Sequence, residues 1–180
     1  MRSVLFCRLG ELAKPGPLWP GDALGAVRIG IAEEGGAVTE LFFEGHVPSG
    51  FARAQAEGRV RQAESALAKE AARQVGKYLA GELRDFSLPL DFRGTEFQAG
   101  AWKALLAIPY GETRSYKDMA EMVGRPKAFR AVGLANNRNP ISIIAPCHRV
   151  IGSSGALVGY GGGLPMKRWL LSLEQGRLWA

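Results

Sequence analysis

The sequence feature that most constrains the fold of this chain is an apolar run that ends at a proline. Residues 141–145 read Ile-Ser-Ile-Ile-Ala, and Pro146 and Cys147 follow directly. Such a run is typical of a short buried strand, and a proline ends it because proline lacks the N–H that a sheet requires. We therefore expect Cys147 to lie where buried backbone meets a loop, which is where reactive side chains usually lie.

His148 follows this cysteine in the sequence. An imidazole that takes the thiol proton leaves a thiolate, the form of cysteine that attacks electrophilic carbon. On these residues alone, a cysteine after an apolar run is more often a small buried hydrophobe. The rest of the second half of the chain must decide between a structural and a reactive Cys147.

Composition indicates a folded globular chain. The 180 residues are 47% hydrophobic and 22% charged, which allows a real core in one or two domains. The formal net charge is +6 and the pI is near 9.6. This net charge favours an anionic partner such as nucleic acid. A basic protein that binds no anionic partner can have the same net charge, so the charge alone does not decide between them.

The use of cysteine and histidine argues against several classes of protein. The chain has two cysteines, Cys7 and Cys147, and two histidines, His46 and His148. Two distant thiols form no disulfide framework and fit a reducing, cytoplasmic compartment. No spacing typical of zinc ligands is present, so we expect no metal and no cofactor. The N-terminal apolar run is too short for a signal peptide, and we expect no membrane partner.

The first half, residues 1–91, is typical of a small α/β scaffold domain. We predict an edge strand over residues 3–9, a loop over 14–22, and a β-hairpin in which Gly35 and Gly36 join two strands. The remaining predictions are a loop over residues 45–51, a helix over 59–81 and a strand over 85–92. We see no reactive motif in this half.

The second half, residues 92–180, has helices marked by cap residues at their starts and by Pro or Gly at their ends. These signals are Thr95 with Gln98, Pro109, Gly111, Ser115, Gly124, Pro126, Pro165 and Gly176. The predicted fold class is α+β. A small N-terminal sheet-plus-helix domain precedes a mainly helical C-terminal domain with a helix-turn-helix and a short active-site strand.

The helices on either side of Gly124 and Arg125 have the pattern of a helix-turn-helix. The face of the second helix that we expect to point inward holds Ala128, Ala131, Val132 and Ala135. A different face holds Lys127, Arg130, Leu134 and Asn137. The small residues Ala131 and Gly133 allow this helix to lie close to another surface. An ordinary helical hairpin explains the pattern alone equally well.

The last helix places Lys167 and Glu174 on one broad face. A lysine and a glutamate on one helix face can both point toward a single site. Charged residues on a helix are more often solvated, so the position of these two side chains stays open at this point.

Together these residues resemble the active-site signature of the O6-alkylguanine-DNA alkyltransferases, also called methylated-DNA–protein-cysteine methyltransferases. The resemblance covers residues 92–176. The residues that carry it are 139–150 and 155–163, with 95–98, 108–113, 115–116 and 130–133 upstream. The first half resembles the family only in its size and in the order of its strands and helix.

The resemblance implies direct-reversal DNA repair, in which an alkyl group moves irreversibly and in a single turnover from O6-alkylguanine to Cys147. O4-alkylthymine is a second candidate substrate. His148 is implied to activate the thiol through a water, Glu174 to orient His148, Asn139 to brace the adjoining turn, and Tyr116 to assist the leaving guanine. The transfer needs a thiolate, so we expect the neighbours of Cys147 to lower its pKa.

The implied partner is double-stranded DNA, bound in the minor groove through the helix-turn-helix by a monomer. The target base lies inside the duplex, so the nucleotide must rotate out, and Arg130 is implied to fill the gap. The other residues implied to contact DNA are Lys127, Ala131, Gly133, Asn137 and Tyr116. The implied base pocket consists of Val150, Gly159, Tyr160, Gly161 and Lys167.

Ser142, Ala145 and Gly161 depart from residues common in the family and leave the range of alkyl groups open. Two other functions also stay open. One is a non-catalytic sensor or regulator that binds alkylated DNA, which predicts lesion binding without transfer. The other is a cysteine hydrolase that uses Cys147 and His148, which predicts turnover of an ester or amide.

Overall fold

A computed structural model describes residues 1–12 and 25–179 of the chain. The residues divide into two compact units, Met1–Asp91 and Phe92–Ala180. The loop predicted over residues 14–22 lies outside the described residues. Within the part that is described, no helix is both long enough and apolar enough to cross a bilayer.

The first unit contains a four-stranded sheet in the order β3-β2-β1-β4. Its strands are β1 (Arg2–Arg8), β2 (Arg28–Glu34), β3 (Ala37–Phe43) and β4 (Val60–Gln62). β1 pairs antiparallel with β2 and parallel with β4, and β2 pairs antiparallel with β3. Gly35 and Gly36 have φ of 65° and 81°, which a tight hairpin turn requires. The predicted hairpin is confirmed.

Helices pack on this sheet. They are α1 (Leu9–Leu12), α2 (Ser49–Ala56) and α3 (Ala66–Leu79). The Ser65 hydroxyl caps α3 by accepting a hydrogen bond from the N–H of Ala68 at 3.1 Å. Val4, Ala32, Phe42 and Phe51 form a buried cluster that joins the sheet to α2.

Four predictions for this unit are wrong in part. The predicted edge strand over residues 3–9 is β1, which lies inside the sheet between β2 and β4. Helix α2 begins at Ser49, inside the predicted 45–51 loop. Residues 60–62 form strand β4 and not the start of a helix, because the edge of β1 offers them backbone partners. Residues 85–92 form no strand but a single bridge between Val38 and Leu90.

The second unit is mainly helical. Its elements are α4 (Glu96–Leu105), β5 (Arg114–Ser115), α5 (Tyr116–Met122), α6 (Phe129–Asn137), a 3₁₀ turn (Cys147–Arg149), β6 (Val150–Ile151) and α7 (Gly163–Gln175). Capping boxes begin α4 and α5, as the sequence predicts for α4. The indole N–H of Trp102 donates to the carbonyl of Ala135 at 2.8 Å and so ties α4 to α6.

The start of α6 is later than predicted. Pro126 lies in a turn, and the helix begins at Phe129 with Ala128 as its N-cap. Val132 and Ala135 are buried as expected, but Ala131 is exposed. One residue along a helix turns the side chain by about 100°, which takes Ala131 off the buried stripe.

The predicted strand over residues 141–145 is wrong. These residues form buried turns, in which the N–H of Ala145 donates to the carbonyl of Ile141 at 2.9 Å. Ile143 has a φ of 70°, a left-handed conformation that costs a β-branched residue about 1–2 kcal/mol. The short strand of this region is β6, directly after the Cys147–Arg149 turn, and it pairs parallel with β5.

Candidate active site and nucleic-acid interface

Cys147 begins the 3₁₀ turn and is 7% exposed. The side-chain amide of Asn139 donates to its Sγ atom at 3.1 Å and to the carbonyl of Ala145 at 2.8 Å. The Asn139 Oδ1 atom accepts from the N–H of Ile141 at 3.1 Å. One amide therefore fixes both ends of the buried turn and contacts the thiol that follows it.

Glu174 of α7 forms hydrogen bonds with three residues, Gly111, His148 and Arg149. Its Oε1 atom lies 2.7 Å from His148 Nε2, and its Oε2 atom accepts from the N–H of Gly111 at 3.0 Å. Arg149 donates to the same carboxylate from Nε and from its terminal nitrogen, at 3.0 Å each. The carboxylate is thus held in one orientation against the imidazole.

The charges in this cluster follow from burial and from these contacts. Burial alone raises the pKa of Glu174, but the hydrogen bonds from His148 and Arg149, together with the positive charge of Arg149, outweigh burial and lower it to about 2. Burial lowers the pKa of His148, although Glu174 acts in the opposite direction. We therefore assign an ionised Glu174 and a neutral His148 near pH 7. In this state Nε2 donates to Glu174, and Nδ1 is the nitrogen able to accept a proton.

Arg149 is a site residue that our reading of the sequence missed. Its guanidinium is buried, and beyond Glu174 it donates to the carbonyl of Ile108 at 2.5 Å. The sequence contained a signal that could have identified it. Arg149 lies between a site expected to be buried and the apolar Val150, and a buried arginine needs a carboxylate partner.

The expected thiolate is not the resting state. Burial raises the pKa of Cys147. The hydrogen bond from Asn139 and the charge of Lys167 act in the lowering direction but do not outweigh burial. The free protein therefore holds a protonated thiol, and the expectation of a lowered pKa is corrected.

Lys167 is fully buried on α7 and binds backbone. Its ammonium donates to the carbonyls of Val150 at 2.7 Å and Val158 at 2.8 Å. Burial lowers the pKa of Lys167 to about 8. The lysine therefore ties the loop after β6 to the helix that carries Glu174.

A surface pocket of about 360 Å³ lies beside α6. Its lining residues are Tyr116, Phe129, Gly133, Asn137, Val158 and Gly159. Of the residues expected to form the base pocket, Gly159 lines this cavity. Val150 does not, because it is fully buried in the core cluster that also contains Cys147. Tyr160 packs against that cluster, with its ring edge-on to His148 at 6.2 Å between centroids, and Gly161 is half-buried beside it.

The outer side of the helix-turn-helix is basic and exposed. Lys127, Arg130, Ala131 and Asn137 are all exposed, together with Arg125 in the turn. A Cβ atom at Gly133 would lie 3.7 Å from the Tyr116 ring, so α6 packs closely against the start of α5.

Burial and the nearby Cys147 raise the pKa of Tyr116, which keeps its hydroxyl protonated and able to donate. Among the described residues, no group of three or more His, Cys, Asp or Glu could hold a metal.

Comparison with known proteins decides the family. Residues 96–176 match the family described as 6-O-methylguanine DNA methyltransferase, DNA binding domain. A methylated-DNA–protein-cysteine methyltransferase of Methanosarcina barkeri is 60% identical over 110 residues, which are 61% of this chain and 70% of that protein. The chain belongs to the methylated-DNA–protein-cysteine methyltransferase family.

Solved structures of this methyltransferase family extend the match to the first unit. The O6-methylguanine methyltransferase of Mycobacterium tuberculosis is 41% identical, with a TM-score of 0.77 over 100% of this chain and 96% of that one. The M. tuberculosis OGT in complex with DNA has a TM-score of 0.74 at 41% identity, over 98% of this chain and 94% of that one. Membership of the methyltransferase family assigns the chain to DNA repair by alkyl transfer to a cysteine, with DNA as its partner.

Proposed function

We propose that Cys147 accepts an alkyl group from O6-alkylguanine in double-stranded DNA, once and irreversibly. The observation that carries the proposal is a pair of hydrogen bonds, one to the thiol and one to the histidine that follows it in the sequence. Asn139 donates to Sγ at 3.1 Å, and the neighbouring His148 is held by Glu174 at 2.7 Å. A nucleophile, a base and a carboxylate that orients the base are the parts required for covalent transfer.

The proposed reaction moves one proton and one alkyl group. The Cys147 thiol gives its proton through a water to Nδ1 of neutral His148, and Glu174 stabilises the imidazolium that forms. The sulfur then attacks the alkyl carbon, the C–S bond forms, and the electron pair of the C–O6 bond stays on guanine. The leaving guanine takes a proton from Tyr116, and the proton held on His148 returns through the water to the tyrosine oxygen. The product is a thioether, so each molecule acts once.

The raised pKa of Cys147 fits a thiol that ionises when substrate is present. Burial holds the proton on sulfur in the free protein. A protonated thiol reacts slowly with oxidants, because the thiolate is the reactive form. Asn139 and Lys167 favour the thiolate and are in place to stabilise it once His148 has taken the proton.

The proposed mode of binding uses the basic outer side of the helix-turn-helix. Lys127 contacts backbone phosphate, and α6 lies in the minor groove with the exposed Ala131 against it. The target nucleotide rotates into the 360 Å³ pocket, and Arg130 fills its place in the stack. We propose that the protein acts as a monomer in the cytoplasm, where its two free thiols stay reduced.

A stoichiometric transfer assay tests the proposal. A duplex with a radiolabelled O6-methylguanine is mixed with excess and with limiting protein. We expect label on protein to reach one methyl group per molecule and then stop, with Cys147→Ala inactive and Cys7→Ala normal. Tight lesion binding with no label on protein would support a sensor instead. Continued release of labelled product would indicate a hydrolase. A duplex with O4-methylthymine in the same assay tests the second substrate.

A further inference from the structure

Phe129 is an aromatic residue in an unusual place. It is the first residue of α6, and its side chain is 45% exposed. It lines the pocket that also contacts Tyr116 and Gly133. The buried residues of α6 are Val132, Ala135 and Asn136, so the Phe129 ring is not part of the buried side of this helix.

The ring of Phe129 lies against the guanidinium of Arg130. The Cζ atom of Arg130 is 5.8 Å from the centroid of the ring. An arginine at this distance is attracted by the negative face of an aromatic ring. The Arg130 side chain is exposed, and a long exposed arginine otherwise samples many rotamers. The contact therefore restricts the guanidinium to the neighbourhood of the Phe129 ring, and that ring lines the pocket.

We propose that Phe129 is a positioning residue that holds Arg130 beside the mouth of the pocket before DNA binds. This inference rests on the proposed function, in which Arg130 replaces the extruded nucleotide. An arginine that is already restricted loses less conformational freedom when it enters the stack, which is the general advantage of preorganisation. Phe129 also lines the pocket proposed for the base, so a direct contact with the base would change transfer from duplex and single-stranded DNA alike, whereas its effect through Arg130 is specific to the duplex.

If Phe129 positions Arg130, substitution of Phe129 should slow transfer from duplex DNA more than transfer from single-stranded DNA. A lesion in single-stranded DNA needs no extrusion from a duplex and leaves no gap to fill. The ratio of transfer rates, duplex over single strand, therefore reports on Arg130 and its position. A contact of this kind at an exposed site changes an equilibrium by about two- to fivefold.

The test measures single-turnover transfer to Cys147 from an O6-methylguanine oligonucleotide, as a duplex and as a single strand. We expect Phe129→Leu to lower the rate ratio about two- to fivefold, because leucine keeps the apolar bulk but removes the ring. Phe129→Tyr keeps an aromatic face and should retain the ratio. In an Arg130→Ala background, Phe129→Leu should have no further effect on it.

Other results would overturn the inference. It fails if Phe129→Leu slows transfer from both substrates equally, which would indicate a structural role or a direct contact with the base. It also fails if the ratio falls by the same factor in the Arg130→Ala background, which would mean that the ring acts on DNA independently. If the unsubstituted protein transfers from both substrates and Phe129→Leu matches it, this inference alone is wrong. If the unsubstituted protein transfers from neither, the proposed function is wrong.

Discussion

The Nε2 atom of His148 lies 2.7 Å from Oε1 of Glu174, and neither side chain is exposed to solvent. A carboxylate at such a depth is stable only with charged partners, and Arg149 supplies that partner. The same arginine donates to the carbonyl of Ile108, so the segment after α4, the Cys147–Arg149 turn and α7 meet at the Arg149–Glu174 pair. The predicted chemistry and the stability of the second unit therefore depend on the same residue.

Glu174→Gln should strongly destabilise the second unit. The substitution leaves Arg149 buried without its counter-charge, and breaking one side of a buried pair costs about 3–5 kcal/mol. Glu112→Gln is the matched control, since Glu112 pairs with Arg114 at 2.8 Å but is exposed. We expect this control to change the unfolding free energy by less than about 1 kcal/mol. Urea denaturation at pH 7 measures both, and equal effects would contradict the assignment.

The stability of the protein should fall with acid over a defined pH range. The folded-state pKa of Glu174 is about 2 and its ordinary value is 4.5. The unfolded chain therefore binds a proton first, and the contribution of Glu174 is present above pH 4.5 and lost as the pH falls toward 2. Burial lowers the pKa of His148 as well, which also disfavours the folded state in acid. Denaturation midpoints of wild type and Glu174→Gln should converge toward pH 2, and a constant difference would refute the shift.

Lys167→Met should loosen the loop after β6. The substitution keeps most of the side-chain volume but leaves the carbonyls of Val150 and Val158 without their ammonium donor. Amide hydrogens of residues 152–160 should exchange roughly tenfold faster, as expected for the loss of one or two hydrogen bonds. Arg168→Met, at an exposed position of the same helix, should leave the exchange unchanged. Unchanged protection in Lys167→Met would show that other contacts hold the loop.

Lys127→Ala should weaken DNA binding in a salt-dependent way. A phosphate contact releases counterions, so its loss should reduce the slope of log K against log salt by about 1. The change should be the same for intact and alkylated duplexes, because phosphate carries no information about the lesion. Lys69→Ala, an exposed lysine of the first unit, is the control. An unchanged slope in Lys127→Ala would place the DNA elsewhere on the protein.

Local signals in the sequence predicted much of this fold. The Thr95 and Gln98 capping box and the Gly35 and Gly36 turn are fixed by backbone chemistry within four residues, so they can be recognised without tertiary structure. Strand β4 could not be recognised in this way, because it pairs with β1, which lies far away in the sequence. Tertiary pairing overrides the weak preferences of such a short segment.

The sequence predicted many residues of the candidate site but not the backbone conformation that positions them. The sequence indicated that Lys167 and Glu174 share a helix face, and both are buried. It did not indicate the left-handed Ile143, since a run of apolar residues is the same whether it forms a strand or a buried turn. The sequence also could not predict the direction of the pKa shift of Cys147, because that direction depends on how deeply the thiol is buried.

The mass of the Cys147 peptide after reaction tests the central claim most directly. The protein is incubated with a duplex that contains O6-methylguanine, digested and analysed by mass spectrometry. Cys7 is an internal control, because it lies on β1 of the first unit, whereas Asn139 and the His148–Glu174 pair belong to the surroundings of Cys147. We expect one added methyl group on the Cys147 peptide, none on the Cys7 peptide, and guanine restored in the DNA. Repaired DNA together with an unmodified Cys147 peptide would contradict the account.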